Sequence, residues 1–417
     1  MKELQKAVIT GLGMVSPAGN TVFDSWAALL SGKSAAGPIT RFDCSQFRTR
    51  FACEVKGFDA GAYFDAKEAR GMDLYTQYAV AAAAQAFGDA GLGAVPGDPF
   101  RRGVIFASGI GGINTLQEEL FKYAQAGGGK PRFSPFMVPK MISNIAAGVI
   151  ALKYGFRGAN YATVSACASS SHALIDALNL VRLGKADVII AGGSEAPINV
   201  TGVGGFGALR ALSERNGDPA TASRPFDKER DGFVLGEGAA ALVVESLAHA
   251  KARGARIYAE LAGGGMTADA FHSTLPHPDG AAVERAMAFA LDDAGVNTEE
   301  VGYINLHATS TPAGDGPEIG AVGRLFKNSL DKLHVSGTKS MTGHLLGGVG
   351  ALEAAITVLS IYKGMIPPTI NTVNVDPELD VRVDLTLGKA VEKVVGVAMT
   401  NSFGFGGQNA CIVFRRT

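Results

Sequence analysis

The sequence predicts an α/β protein whose parallel sheets are covered on both faces by helices. Short β-branched runs alternate with longer alanine-rich stretches of helical periodicity, and such alternation is typical of parallel sheets. Several helical stretches end at a glycine, as helices commonly do. With 417 residues, the chain is long enough for two domains, or for two fused halves of one.

The first part of the chain predicts four buried strands and two helices. The strands are expected at 6–10, 103–108, 161–166 and 187–193, and the helices at 73–91 and 171–184. The polar stretch 217–233 is predicted to be a loop whose charges face solvent. A boundary is expected near residue 255, which divides the chain into 1–255 and 256–417.

The second part repeats this pattern of elements. A helix is expected at 286–295, a strand at 301–308 and a helix at 350–364, followed by a final strand, loop and strand between 394 and 416. No repeat is visible in the residues themselves, so we expect any duplication to be structural.

Composition excludes several classes of protein. A formal net charge of −1 provides no overall field that would attract nucleic acid or an anionic membrane. The four cysteines show no CxxC pair and no Cys/His spacing typical of a metal site, which favours free thiols in a reducing compartment. The first residues lack the apolar core of a signal peptide, and no apolar run of about 18 residues is visible. We therefore expect a cytoplasmic protein without a metal.

Cys167 lies where the segment "YATVSA" meets the helical stretch "SHALIDALNLVRLG". At such a junction the free N–H groups and the helix dipole favour a thiolate, typically by about 0.3–1 kcal/mol. Packing in the core is the competing interpretation, because free cysteine is among the most buried residue types. The position alone does not decide between a nucleophile and a packed side chain.

Two histidines follow predicted elements of the second part. His307 ends a buried strand, and His344 follows a strand and a glycine before an apolar helix. The carboxyl ends of strands are where α/β proteins build their sites, so both histidines are candidates for a functional role. One cysteine and two histidines together suit acyl transfer through a thioester. Lys339 and Glu353 flank His344, and we interpret them as a mutually satisfied supporting pair. The glycine-rich stretch 401–410 precedes no helix, so a backbone approaching a substrate is favoured over a phosphate site.

Six motifs in order resemble the β-ketoacyl-acyl-carrier-protein synthases, in particular the elongating enzymes of bacterial fatty acid synthesis. They are "VITGLGMVSPAG", "SACASSSHAL", "SRPFDKERDGFVLGEGA", "HATSTPAGD", "GTKSMTGHLLG" and "NSFGFGG", and they span essentially the whole chain. The resemblance implies the thiolase fold, with two similar halves in five layers αβαβα, and a homodimer. It implies a decarboxylative condensation of malonyl-carrier protein with an acyl-enzyme thioester, without any cofactor.

The resemblance also implies roles for single residues. Cys167 would accept the acyl chain, and His307 and His344 would act on the malonyl unit. Lys339 and Glu353 match the supporting charges of the family. Phe405 matches a gate residue whose backbone N–H would join that of Cys167 in an oxyanion hole.

Further residues are expected to bind the substrate or its carrier. Those matched to substrate contacts are Ile110, Phe206, Thr309, Thr311 and Phe403. Those matched to docking of an acidic acyl-carrier protein are Lys67, Arg70, Lys130, Arg132 and Arg210.

Two departures from the family pattern and three alternatives bear on the function. "HATST" replaces the usual "HGTST", and "ACASSS" is similar to some polyketide ketosynthases. A polyketide or other specialised ketosynthase would share every catalytic residue. A degradative thiolase would need a second catalytic cysteine in a glycine-rich loop, whereas Cys411 follows that loop inside a strand. A non-catalytic partner subunit would be expected to lack Cys167.

Overall fold

The computed structural model describes residues 4–417, and its strands fall in both parts of the chain. They are β1 (Ala7–Val15), β2 (Gly37–Pro38), β3 (Phe51–Ala52), β4 (Arg102–Ala107), β5 (Asn160–Tyr161), β6 (Val188–Glu195), β7 (Gly238–Ser246), β8 (Ala259–Ala268), β9 (Val301–Asn305), β10 (His334–Ser336), β11 (Met365–Ile366), β12 (Val391–Glu392), β13 (Val397–Gly404) and β14 (Gln408–Arg415).

The helices alternate with these strands, as the sequence predicts. They are α1 (Val22–Leu30), α2 (Ala66–Arg70), α3 (Leu74–Asp89), α4 (Ile113–Gln125), α5 (Met137–Met141), α6 (Ile145–Tyr154), α7 (Ser169–Arg182), α8 (Val200–Ala208), α9 (Leu247–Ala252), α10 (Ala281–Ala294), α11 (Asp315–Leu325), α12 (Lys339–Thr342) and α13 (Val349–Lys363). The four helices expected from periodicity correspond to α3, α7, α10 and α13, with ends that differ by a few residues.

Local signals explain where these helices begin and end. Asp73 caps α3 by accepting a hydrogen bond from the backbone N–H of Tyr75. Gly295 and Gly364 follow α10 and α13 with φ values of 60° and 69°, a left-handed conformation that glycine adopts without steric cost.

Ten strands of the described chain form one sheet with an internal two-fold pattern. The order is β10-β9-β13-β14-β8-β1-β7-β6-β4-β5, so each half contributes five consecutive strands. Within each half the three outer strands are parallel and the two inner ones antiparallel. The halves join where β1 pairs with β8, and residue 255 lies between α9 and β8. The structural duplication is thus present, although the residues show no visible repeat.

Helices cover both faces of each half-sheet. α3 packs on β1, β7 and β6, whereas α10 packs on β8 and β14. α7 and α13 pack on each other and contact strands of both halves, so they form a central layer. This is the five-layered αβαβα arrangement that the resemblance implies.

Expectations for two segments of the sequence were wrong in detail. The segment 161–166 is not a buried strand, because β5 is a two-residue exposed edge strand and the chain then turns into the site. The segment 217–233 is not a solvated loop: Arg224 is 8% exposed and Asp227 is fully buried. Arg230 from the same segment donates to Asp376 at 2.7 Å, so these charges are used to hold one part of the chain against another.

One helical stretch among residues 4–417, Leu346–Lys363, is long and apolar enough to span a bilayer, contrary to the expectation that no such run exists. Of its residues, 89% are buried inside the protein. It contains α13 of the central layer, where apolar character on all sides is expected of a core helix.

Candidate active site

Cys167 lies in a strained turn that leads into α7. Residues Ala166–Ala168 form a single 3-10 turn, and Ala166 has φ = 49°, which costs a non-glycine residue about 1–2 kcal/mol. The Ser169 hydroxyl braces the turn, because it donates to the Ala166 carbonyl at 2.6 Å and accepts from the Ser165 N–H at 2.8 Å. The serine-rich sequence after Cys167 thus has a local structural role.

The hairpin between β13 and β14 approaches this turn closely. A Cβ atom on Gly404 would lie 2.8 Å from the Ser165 carbonyl oxygen and 3.1 Å from the Cys167 nitrogen. Only glycine fits this approach without movement of one backbone. The backbone N–H of the next residue, Phe405, lowers the pKa of the Cys167 thiol by hydrogen bonding.

His344 is the hydrogen-bond partner of Cys167, with 3.1 Å between Nε2 and Sγ. Its backbone is fixed on both sides, since its N–H donates to the Val234 carbonyl at 2.8 Å and its own carbonyl accepts from Gly236 at 2.9 Å. The imidazole packs edge-on to the ring of Phe233, with 5.3 Å between centroids.

His307 follows β9 and faces His344, with 5.3 Å between the two ring centroids. Its position depends on Glu318 of α11, whose buried carboxylate accepts the N–H groups of His307 and Ala308, each at 2.8 Å. Ala308 has φ = 32°, a left-handed conformation. The methyl group that distinguishes "HATST" from "HGTST" therefore stands at a position where glycine would be unstrained.

Burial governs the protonation of the site. The pKa values of His307 and His344 lie well below the usual 6.5, because desolvation and the nearby Lys339 ammonium oppose a second positive charge. Both imidazoles are therefore neutral at pH 7. Burial also raises the pKa of Cys167 to about 11, against the lowering effect of the Phe405 N–H. The expectation of a resting thiolate was wrong, because desolvation disfavours the charged form of the sulfur.

Lys339 and Glu353 form the buried pair that the sequence predicts. The Lys339 Nζ lies 2.7 Å and 2.6 Å from the two Glu353 carboxylate oxygens, and each side chain is 1% exposed. The Thr338 hydroxyl donates to the same carboxylate at 3.2 Å. The ammonium also lowers the pKa of Cys167, so it acts electrostatically on Cys167, His307 and His344.

A cavity of about 330 Å³ opens onto Cys167, His307 and His344. Five other residues predicted to be catalytic or substrate-binding line it: Phe206, Thr309, Thr311, Phe403 and Phe405. Ile110 does not, but it packs beside Phe206 and Leu346 in the apolar cluster next to the cavity. The structure thus brings together residues from five distant segments of the chain.

The residues expected to dock a carrier protein are all exposed but do not share one surface feature. Arg210 lines the mouth of the cavity that contains Cys167. Arg70 lines a separate cavity of about 590 Å³, and Lys67 precedes it on α2. Lys130 and Arg132 lie between α4 and α5. Glu68, which lies among these cations, is engaged in the capping box of α2.

Two buried carboxylates that support the site were missed from the sequence. Besides Glu318, Glu195 at the end of β6 accepts from the backbone N–H groups of Gly109 at 2.8 Å and Gly347 at 2.9 Å. It therefore ties the segment of Ile110 to the segment after His344. The sequence signal that could have found them was position: Glu195 ends an apolar strand, and Glu318 lies on the buried face of an amphipathic helix.

These features define a class: an acyl-transferring enzyme with a Cys–His–His site between two fused α/β halves. Family models confirm it. The model described as "Beta-ketoacyl synthase, N-terminal domain" matches residues 5–250, and that described as "Beta-ketoacyl synthase, C-terminal domain" matches residues 258–373. The chain belongs to the β-ketoacyl synthase family.

Curated relatives agree with this assignment. Proteins named 3-oxoacyl-[acyl-carrier-protein] synthase 2 from Synechocystis sp. and from Vibrio cholerae are each 48% identical, with 99% of both chains covered. A chloroplastic 3-oxoacyl-[acyl-carrier-protein] synthase I from Hordeum vulgare is 46% identical, with 98% of this chain and 89% of the relative covered.

Solved structures show the same thiolase-type fold. A β-ketoacyl synthase from Burkholderia phymatum superposes with a TM-score of 0.90 at 35% identity, covering 99% of this chain and 100% of the other. A type II polyketide ketosynthase solved with its acyl-carrier protein gives 0.91 at 33% identity, with the same coverage.

Proposed function

We propose that the protein elongates acyl chains in fatty acid synthesis by decarboxylative condensation of malonyl-carrier protein with an acyl group held on Cys167. The observation that carries this proposal is the meeting of the Cys167 sulfur and one ring nitrogen from each histidine within 4.8 Å, at the base of an apolar cavity. The names of the relatives, at 48% identity over nearly the whole chain, support the substrate class.

Acyl transfer to Cys167 requires removal of the thiol proton, because burial favours the neutral thiol. His344 Nε2, at 3.1 Å from Sγ, is placed to accept that proton as the sulfur attacks the incoming thioester. The negative charge on the thioester oxygen would then meet the backbone N–H groups of Cys167 and Phe405. Once the carrier thiol leaves with a proton, the acyl group remains on Cys167.

Condensation begins with the loss of CO₂ from the malonyl thioester. The electron pair of the breaking C–C bond passes to the α-carbon, and the resulting enolate oxygen accepts hydrogen bonds from His307 and His344. Neutral imidazoles suit this donor role, and each well-placed donor of this type is worth about 3–4 kcal/mol. The α-carbon then attacks the acyl carbonyl, the C–S bond breaks, and the Cys167 sulfur leaves as a thiolate that takes up a proton from solvent.

The direct test offers the purified enzyme a series of acyl-carrier proteins with malonyl-carrier protein and identifies the products by mass spectrometry. β-Ketoacyl products extended by two carbons from saturated acyl chains support fatty acid elongation. Turnover of polyketide intermediates alone would support a specialised ketosynthase, which is the second candidate function. Two observations favour that candidate: the superposition on a polyketide ketosynthase with a TM-score of 0.91, and the unusual alanine at position 308.

The proposal includes docking of an acidic carrier protein at the mouth of the cavity. Arg210 is exposed at that mouth, and Arg132 and Lys130 are further exposed cations. Reversal of Arg210 and Arg132 to glutamate should raise KM for carrier-bound substrates at low salt and leave the free energy of unfolding unchanged. An unchanged KM would exclude docking through these residues.

The proposal also includes a homodimer, in a cytoplasmic setting. The edge strand β5 is open for pairing, and Tyr161 and Val164 beside it are 37% and 60% exposed. Sedimentation at micromolar concentration should give about twice the chain mass. An active monomer would contradict this assembly.

A further inference from the structure

The side chains of Cys167, His307 and His344 form a set of sulfur and nitrogen donors for a metal ion, although their spacing in the sequence does not indicate a metal site. The Cys167 sulfur and one ring nitrogen each of His307 and His344 lie within 4.8 Å of one another, and all three residues are buried. We propose that this cluster, named the Cys–His–His cluster, also binds a thiophilic divalent cation such as Zn²⁺, and that the bound ion blocks the site. This binding does not depend on the condensing activity.

The donor set matches what zinc prefers. Zinc sites that keep an open position use three protein ligands of the sulfur, nitrogen or carboxylate type, with a fourth position for water or substrate. In tetrahedral geometry with ordinary Zn–S and Zn–N lengths, neighbouring ligand atoms lie about 3.5 Å apart. The His344 Nε2 to Sγ distance of 3.1 Å would have to lengthen by about 0.4 Å, and the remaining donor pairs, all within 4.8 Å, would have to close by about 1.3 Å at most. The fourth position would face the cavity.

The histidines can present a lone pair to such an ion. Among residues 4–417, no protein group is hydrogen-bonded to the buried Nδ1 atom of either His307 or His344. Hence no partner fixes the proton on the opposite nitrogen, and the tautomer with Nδ1–H leaves Nε2 free to bind a metal. The same Nε2 would have to carry a proton in order to donate to an enolate. A bound ion therefore excludes the donor role that condensation requires of these two imidazoles.

The surrounding charges do not forbid a cation. The Lys339 ammonium opposes one, and Glu353, whose two oxygens lie within 2.7 Å of the Nζ, weakens that effect. Glu318 holds the backbone of His307, and Glu195 adds a second buried carboxylate near Cys167. On binding, the thiol gives its proton to solvent, the sulfur becomes a thiolate ligand, and the ion loses all of its waters except the one in the fourth position.

An ion held in this way acts as an inhibitor and not as a cofactor. It would occupy the space between the sulfur and the two imidazoles where the thioester carbonyl must enter, and it would remove the sulfur lone pair needed for attack. Condensation and acyl loading should therefore both stop when the site is filled and return when a chelator removes the ion.

The test measures binding without any acyl substrate, so its failure is distinct from a failure of the proposed condensation. Equilibrium dialysis of the purified full-length chain against Zn²⁺ should give about one ion per chain. Alkylation of Cys167 by iodoacetamide, followed by peptide mass spectrometry, should slow about tenfold at a free Zn²⁺ concentration ten times the dissociation constant. Cys44, which is half-buried and lies outside the site, provides an internal reference whose alkylation should not change.

Matched variants separate this site from adventitious binding. Cys167→Ser and His344→Gln should each lose the stoichiometric ion, while Cys44→Ala should keep it, with folding of each variant checked by thermal unfolding. Co²⁺ in place of Zn²⁺ should show a thiolate-to-metal absorption band in the parent that is absent in Cys167→Ser. Retention of one Zn²⁺ by Cys167→Ser, or unslowed alkylation of Cys167 in the metal-loaded parent, would overturn the proposal.

Discussion

Removal of either partner of the Lys339–Glu353 pair should be far more harmful than removal of both. Each side chain is 1% exposed, and the Nζ contacts both carboxylate oxygens at 2.7 Å or less. Lys339→Met leaves an uncompensated carboxylate in the core, and Glu353→Leu leaves an uncompensated ammonium. Loss of one partner of a buried pair typically costs about 3–5 kcal/mol.

The double variant Lys339→Met/Glu353→Leu replaces the pair by apolar side chains of similar size. We expect it to be destabilised by much less than the sum of the single changes, so that a double-mutant cycle gives a coupling of several kcal/mol, on the order of the single-variant cost. Urea unfolding followed by circular dichroism measures all four free energies. Additive single and double effects would refute the conclusion that the two charges satisfy each other.

The same variants test the electrostatic role of Lys339. Its ammonium is one cause of the low pKa values of His307 and His344. In the double variant both pKa values should rise, although burial keeps them below the ordinary value. Because protonation of either imidazole removes it from the neutral form, malonyl decarboxylation should then fall off at a higher pH than in the parent enzyme. An unchanged acidic limb of the pH profile would contradict this role, and exposed Glu299→Gln serves as the control variant.

Three further predictions concern the backbone and the thiol. Ala308→Gly removes a left-handed alanine at φ = 32°, which relieves strain of about 1–2 kcal/mol, but glycine adds entropy to the unfolded chain that costs about 0.4–1 kcal/mol. The variant should therefore be as stable as the parent, or slightly more stable, in urea unfolding. A loss of stability above about 1 kcal/mol would contradict the strain. Gly404→Ala places a Cβ atom 2.8 Å from the Ser165 carbonyl oxygen and should displace the Phe405 N–H. The rate of acyl loading, measured by intact-protein mass spectrometry, should fall by about 10²–10³-fold. A loading rate near that of the parent would exclude Phe405 from the oxyanion hole. Alkylation of Cys167 should still be rising with pH above 9, because burial raises its pKa to about 11, and a plateau below pH 8 would show a resting thiolate instead.

The sequence predicted the architecture well because the fold depends on patterns that are local. The helices α3, α7, α10 and α13 follow from periodicity and terminal glycines, and most strands follow from short apolar runs. The prediction of a buried strand at 161–166 was wrong because the apolar residues of this segment lie in an exposed edge strand and a turn. Composition does not distinguish such a segment from a buried strand. The prediction of a solvated loop at 217–233 was wrong because Arg230 pairs with Asp376, which is 146 positions away in the sequence.

The sequence pointed to the three side chains that the structure brings together, but not to the groups that support them or to their protonation. Cys167, His307 and His344 stand at element ends, where the sequence can point to them. Glu318 and Glu195 act through backbone N–H groups that are brought to them only by folding. The protonation of Cys167 was misjudged because the helix end is visible in the sequence, whereas the extent of desolvation is a property of the packed core.

The central claim, a division of labour between Cys167 and the two histidines, is tested most directly by following acyl loading and CO₂ release in the same variants. Cys167→Ala should form no β-ketoacyl product yet still release CO₂ from malonyl-carrier protein, because both imidazoles remain. His307→Ala should lose decarboxylation by about 10²-fold or more and still accept an acyl group on Cys167, as seen by intact-protein mass spectrometry. Condensation by Cys167→Ala, or decarboxylation at the parent rate by His307→Ala, would contradict the account.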